Sequence, residues 1–286
     1  MRTLKTGLLL TVLTLLLVFG GEALAGSQGM TYGLIIAVVM NGVAYFFSDK
    51  IALASSGAQP VTREQAPRLY AVMERLAAKG NLPMPKLYVI PQAAPNAFAT
   101  GRNPSHASVA ATEGLLELMN DDELEGVIAH ELSHVRNYDI LTTSIAATLA
   151  GAITWIAQMG RWALIFGGFG GGDRDRRGGG GLEALLMLIV APLAALLIQL
   201  GISRQREYAA DAAGARLVGH PYGLISALEK LGTYNKRIPM TNVTPATSSL
   251  YIVTPLTAGQ VFMGLFSTHP PLPDRIEALR RMTVLR

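Results

Sequence analysis

Residues 126–134 read Gly-Val-Ile-Ala-His-Glu-Leu-Ser-His. Two histidines stand four apart, and a glutamate follows the first. On a helix, residues four apart share one face, so His130 and His134 can reach one metal ion together. Glu131 is turned about 100° from His130 at 3.6 residues per turn. That puts it beside the metal's open position, where it can take a proton from an activated water. The same spacing also fits a solvated helix face that happens to carry two histidines. The apolar Gly126-Val127-Ile128-Ala129 favours a helix entering a core, and two of the chain's five histidines fall here.

A catalytic zinc takes three protein ligands and keeps a fourth position for water. The chain has no cysteine, so disulfides and thiolate ligands are excluded. The third ligand must be His, Asp or Glu. Residues 203–211 read Ser-Arg-Gln-Arg-Glu-Tyr-Ala-Ala-Asp, which puts Glu207 and Asp211 on one helical face. Glu207 can serve as the third ligand, and Asp211 can hold a ligand histidine in the right tautomer. Both can equally be solvated charges facing Arg204 and Arg206. His220 is a rival ligand, weaker because Gly219-His220-Pro221 reads as a turn at a helix start. Asn137 and Asp139 follow the zinc helix closely and suit either support of the site or capping of the helix end.

The bulk composition points to a membrane. Half of the 286 residues are hydrophobic and only 15% are charged, against about 25% charged in a soluble protein. The net charge of +4 is a mild excess that suggests no nucleic-acid partner. Gly7 to Gly20 is apolar after Arg2 and Lys5, and Gly33 to Phe47 forms a second apolar run. The first run followed by Ala23-Leu24-Ala25 also fits a cleaved signal peptide. The short gap between the runs favours an uncleaved hairpin, 1–49. A third apolar stretch spans Ile140 to Gly170, and a fourth spans Leu182 to Ile202, long enough to cross about 30 Å of hydrocarbon. A Gly/Arg linker, 170–181, separates them.

Two soluble-looking blocks remain, 50–139 and 203–286. In the first, Thr62 with Gln65 fits a capping box. Leu69, Val72, Met73 and Leu76 mark one helical face, with Gly80 as its C-cap. Strands are expected at Lys86 to Ile90, Ala97 to Thr100 and Ser108 to Ala111, the last two as a hairpin. A short helix follows at Glu113 to Met119, and Asp121 or Asp122 caps the zinc helix. In the second block, Pro221 starts a helix carrying Leu224, Leu228 and Leu231. Another helix follows Pro273.

With these motifs assembled, the sequence resembles the HtpX-type membrane zinc metalloproteases of bacteria, a wider family that includes the CaaX prenyl proteases. The resemblance runs over essentially the whole chain. It rests on the hairpin, Pro95-Asn96-Ala97-Phe98-Ala99-Thr100-Gly101, the zinc helix, the two later apolar segments, and Ser-Arg-x-Arg-Glu-Tyr-x-Ala-Asp. It implies one zinc per chain on His130, His134 and Glu207, with Glu131 as base and Asp211 as a supporting carboxylate. It also implies polypeptide substrates, with quality control of damaged membrane proteins under stress as the role.

The fold expected is a mainly α integral membrane protein. It has a zincin-like metalloprotease domain with a small β-sheet edge and four apolar membrane segments. His269 and Arg275, in a His-Pro segment like the family's, are candidate donors to the oxyanion. Each also has a plain structural reading, as a helix start and a salt bridge. Asn96, Ala97 and Phe98 offer an edge for an extended peptide, with main-chain hydrogen bonds that largely ignore side-chain sequence. The expected location is the bacterial inner membrane, multi-pass, with the site facing the cytoplasm and self-association open.

Topology resists in one place. His130 and Glu207 must meet, so the intervening apolar segments leave and return on one side. Full crossing puts Arg174, Arg176 and Arg177 outside, against the positive-inside tendency. A shallow hairpin removes the conflict. The rival function is a non-catalytic membrane scaffold or chaperone with a structural metal, and it leaves Glu131 without a purpose. A transporter would need ionisable residues inside the spans, and Arg161 is the one clear case.

Overall fold

The computed structural model describes residues 2–166, 204–234, 250–253 and 270–282. The expected linker 170–181, the fourth apolar segment 182–202 and His269 lie outside these residues.

Helix α1 (Arg2–Ser55) is continuous in its local geometry but doubles back on itself. Along a straight helix Leu10 and Asn41 would stand roughly 46 Å apart at 1.5 Å per residue. Instead Asn41 Nδ2 donates to the Leu10 carbonyl at 3.3 Å and to Thr14 Oγ1 at 2.9 Å. The reversal falls at Gly26, whose φ of +62° is left-handed. The two arms touch backbone to backbone: a Cβ on Gly21 would sit 2.1 Å from the Gly29 oxygen. The two arms thus form a helical hairpin.

Among the described residues, Gly26–Ser55 is the stretch long and apolar enough to cross a membrane, with mean hydropathy 1.7. Thr6–Phe19 and Asp139–Ile153 are shorter apolar helices. Of the four expected segments, the described residues thus contain one of full spanning length and two shorter ones, and the fourth lies outside them. Leu34, Ile35, Val38 and Val39 are exposed on the long arm, as a lipid-facing surface requires. The arms pack on helix α5 (Asp139–Phe166) through Leu9, Leu13, Ala44, Ile145 and Leu149. Thr6 and Thr142 share a buried hydroxyl hydrogen bond of 3.0 Å across that contact.

A four-stranded sheet lies between this apolar layer and the rest. Its order is β1 (Gln59–Pro60), β2 (Lys86–Ile90), β4 (Ala107–Thr112), β3 (Ala97–Gly101). β3 and β4 form the expected antiparallel pair, while β2 and β4 run parallel. Successive side chains alternate faces. Ala97, Ala99, Val109 and Ala111 join the helical core on one side. Phe98, Ala110 and Ile90 meet Leu53 and Ala147 on the other. Burial on both faces explains why β3 and β4 are rich in alanine.

Helix α2 (Pro67–Gly80) buries the four predicted apolar residues. Thr62 N–H donates to Gln65 Oε1 one turn ahead of it. Its C-cap is Asn81, left-handed at φ 51°, and not Gly80; asparagine tolerates that conformation. Helix α3 (Glu113–Leu118) is capped by Thr112. Helix α4 (Asp121–Arg136) carries the histidines. Asn120 caps α4 in a reciprocal capping box with Glu123, so neither Asp121 nor Asp122 takes that role.

Helices α6 (Arg204–Val218) and α7 (Tyr222–Tyr234) clasp α4, and α8 (Leu272–Arg280) packs behind them, starting one residue before Pro273. The clasp needs missing side chains. A Cβ on Gly223 would lie 2.1 Å from the Asp122 oxygen, and one on Gly214 would lie 2.9 Å from the His130 nitrogen.

Candidate metal centre

Glu207, Asp211 and Gly214 stand at positions i, i+4 and i+7 of α6, one stripe of the helix. Gly214 lets that stripe press on the α4 backbone at His130. The carboxylates upstream are thereby carried over the two histidines. His130 Nε2 lies 3.7 Å from Glu207 Oε2, and His134 Nε2 lies 3.5 Å from Glu207 Oε1. The two Nε2 atoms are 3.3 Å apart. One donor atom from each of His130, His134 and Glu207 falls within 4.8 Å of the others. His220, the rival ligand, is not in this group.

The far side of each imidazole meets a carboxylate. His130 Nδ1 donates to Asp211 Oδ1 at 2.8 Å. His134 Nδ1 donates to Asp139 Oδ2 at 3.4 Å. Burial depresses the pKa of His130, only partly offset by Asp211. Burial also pulls His134 down, but the hydrogen bond to Asp139 and the charges of Glu207 and Glu131 outweigh it, and its pKa rises. With Nδ1 protonated on both rings, both Nε2 atoms present lone pairs to the same point. A cation satisfies that arrangement, and two imidazoles with a carboxylate form a donor set that suits zinc.

Glu131 is buried beside this group, and its Oε1 has no hydrogen-bond partner among the described residues. Burial pushes its pKa up to about 8, with Glu207 adding to the rise and His134 and the Ala99 N–H opposing it. A buried carboxylate oxygen without a partner is costly in a merely structural position. It suits a base that waits for a proton. The cavity here measures about 20 Å³, room for a single water. Ala99, His130, Glu131, His134, Glu207 and Tyr251 are among the residues that line it.

Several expected residues fall elsewhere. Arg275, considered as an oxyanion donor, is fully buried and does not line the cavity. Its Nε and Nη2 donate to the two oxygens of Asp211 at 2.8 and 2.6 Å, and Nη1 donates to the Ile252 carbonyl at 2.9 Å. Burial would raise the Asp211 pKa, but the Arg275 charge and hydrogen bonds hold it down at about 2. These contacts make the salt bridge that the sequence also allowed for Arg275. Asn137 forms the C-cap of α4 through its backbone, and Asp139 reaches the site instead.

β3 lies at the sheet edge as expected. Phe98 is buried in the core, edge-on to Tyr251. The Ala97 carbonyl accepts from Ile252 N–H at 3.0 Å, and the Asn96 side chain bonds Val253. Ala99 is the β3 residue that lines the cavity. Ala99 falls within the strand expected to take substrate, Asn96 to Thr100, whereas sequence reasoning missed Leu250 to Ile252, because nothing local marks them.

Comparison with known proteins agrees with this geometry. The model of peptidase family M48 matches residues 63–283. A "Protease HtpX homolog" of Syntrophotalea carbinolica is 54% identical over 285 residues, covering 100% of both chains. One of Desulfatibacillum aliphaticivorans is also 54% identical, over 96% of this chain and 88% of that protein. Another, of Thermococcus sibiricus, is 48% identical over 98% of this chain and 95% of the relative. The fold is similar to the crystal structure of S. mikatae Ste24p, with TM-score 0.53 and 20% identity, over 93% of this chain and 62% of that one. The chain therefore belongs to peptidase family M48 and is a membrane metalloprotease.

Proposed function

We propose that the chain is a zinc endopeptidase that cleaves polypeptides at the membrane surface, with damaged membrane proteins as its substrates. The observation that carries this reading is the meeting of His130, His134 and Glu207 beside an unpartnered Glu131 oxygen. His130 Nε2, His134 Nε2 and a Glu207 oxygen would hold one ion per chain. Zinc bound there supplies Lewis-acid polarisation of a carbonyl and a water of lowered pKa.

The remaining work belongs to the protein's own groups. Glu131 takes the proton of the attacking water, then delivers it to the leaving amine, serving as base and then acid. Asp211 and Asp139 keep Nδ1–H bonded on each ring and so leave Nε2 free for the ion. Arg275 acts through Asp211 as a positioning residue. An extended substrate adds to β3 at Ala99, beyond the point where Ile252 holds Ala97. Main-chain pairing of that kind accepts many sequences, which suits clearance of damaged chains. His269 stays a candidate oxyanion donor by its place in the motif.

The apolar α1 arm and the exposed apolar residues along it support a multi-pass inner-membrane location, with the site on the cytoplasmic side. The boundaries 1–49, 50–139, 140–202 and 203–286 divide membrane from protease segments in this reading. The test is zinc content and casein cleavage on detergent-purified parent and Glu131→Gln. Both are expected to bind about one zinc, and only the parent to cleave. A parent that binds no zinc, or a Glu131→Gln chain that cleaves as fast, sinks the mechanism.

A further inference from the structure

Each candidate ligand histidine is backed by a carboxylate that forms an ion pair with an arginine, hydrogen-bonded for Arg275 and looser for Arg206. On His130 the pair is Asp211 with Arg275, already described. On His134 it is Asp139 with Arg206. Arg206 Nε lies 3.4 Å from Asp139 Oδ1, and Asp139 Oδ2 lies 3.4 Å from His134 Nδ1. Arg206 Nη2 also donates to Thr143 Oγ1 at 3.1 Å, which fixes the guanidinium against α5. We infer that Asp139 and Arg206 are positioning residues for His134, holding its Nδ1–H so that Nε2 stays presented to the metal.

The backbone is bent to make this contact. Asp139 is five residues past His134, and on a continuing helix it would point about 140° away. Tyr138 breaks the helix in the left-handed region, at φ 59°. For a residue other than glycine that conformation is strained. The Tyr138 side chain is 48% exposed, so its own packing does not repay the strain. The turn does return Asp139 beneath His134, where the carboxylate is buried. Arg206 arrives from another part of the chain, one residue ahead of Glu207. The contact thus ties the residue that opens α5 to the helix that delivers the third ligand.

This inference rests on the metalloprotease reading above, and the experiment separates the two. The full chain in detergent is stripped with a chelator and reloaded. Zinc affinity is read by competition with a chromophoric chelator. Cobalt(II) loading reports the ligand field through its visible spectrum. Asp139→Asn is expected to weaken zinc about 10–100-fold. It should also alter the cobalt spectrum and lower kcat with little change in KM, while metal-free thermal unfolding stays at the parent temperature. Arg206→Lys should retain most of the affinity, and Arg206→Gln should lose it as Asp139→Asn does.

Unchanged zinc affinity in Asp139→Asn overturns the inference. So does a metal-free unfolding temperature that falls in step with the affinity, because that marks a purely structural contact. If Asp139→Asn fails to fold, the two Arg206 variants decide by the same readouts, and equal affinity in both overturns it. A parent chain that binds no zinc defeats the underlying reading instead.

Discussion

The two ends of α4 carry buried carboxylates in opposite conditions. At the start of the helix, Glu123 is fully engaged. It accepts from Ser226 Oγ at 2.5 Å, from Lys230 Nζ at 2.7 Å and from the Asn120 N–H at 2.9 Å. At the other end, Glu131 keeps one oxygen without a partner among the described residues, and two imidazole nitrogens face each other across 3.3 Å. Both glutamates are about equally buried. Burial alone therefore does not mark the site. What differs is whether the protein completes the hydrogen bonding. The first end is finished as structure, and the second is left open for an ion and a proton.

The comparison can be broken by experiment. The largest effect belongs to Glu131→Gln. Loss of the base should cut kcat/KM by about 10²–10⁴-fold. Thermal unfolding of the metal-free chain should stay level or rise, since a buried unpartnered carboxylate is removed. A clear drop in unfolding temperature would place Glu131 with Glu123 as a structural group. Next comes Gly214→Ala. Its Cβ would meet backbone at 2.9 Å, so α6 must shift from α4. Overpacking of this kind costs about 1–3 kcal/mol. Zinc affinity should fall too, because Glu207 rides on the same stripe; normal affinity would show that the ligands follow some other restraint.

Glu123→Ala should cost about 1–3 kcal/mol of stability by leaving Lys230, Ser226 and Asn120 short of an acceptor. Activity per folded molecule should be unchanged, and chemical denaturation with parallel assays checks both. The pH dependence sharpens this. Burial would raise the Glu123 pKa, but the bonds from Lys230 and Ser226 prevail and lower it. Its stabilisation is then present above the ordinary glutamate value of about 4.3 and lost as pH falls through the lower folded value. The gap between parent and Glu123→Ala should narrow in acid. Smallest of all is Arg281→Ala, which removes an exposed pair with Glu277. It should change stability by under about 0.5 kcal/mol.

The sequence made the site legible where chemistry comes with a spacing. His130, Glu131 and His134 sit on one helix, and Glu207 with Asp211 on another, so helical periodicity alone groups them. The hairpin of β3 and β4 was legible from its turn residues. The parallel pairing of β2 with β4 was not, since alanines buried on both faces leave no alternation to read. The cap at Asn120 was hidden by two aspartates that follow it, and Asn81 took the position that Gly80 advertised. Arg275 was legible as a charged residue near a His-Pro motif. Its partner lies 64 residues away in the chain, and only tertiary packing joins the two. Asp139 was legible as a residue close behind the zinc helix that could support the site; the left-handed turn at Tyr138 that returns it to His134 was not.

The two arginine-backed carboxylates also set an electrical condition on the centre. Asp211, Asp139, Glu207 and Glu131 are all buried, and among the described residues Arg275 and Arg206 stand against them. Among the described residues, carboxylates outnumber guanidiniums in this cluster four to two. A low-dielectric interior penalises such an imbalance heavily. A cation in the centre offsets that excess, and a divalent one offsets more of it than a monovalent one. Ionic charge therefore acts alongside ligand type in favouring a divalent metal here.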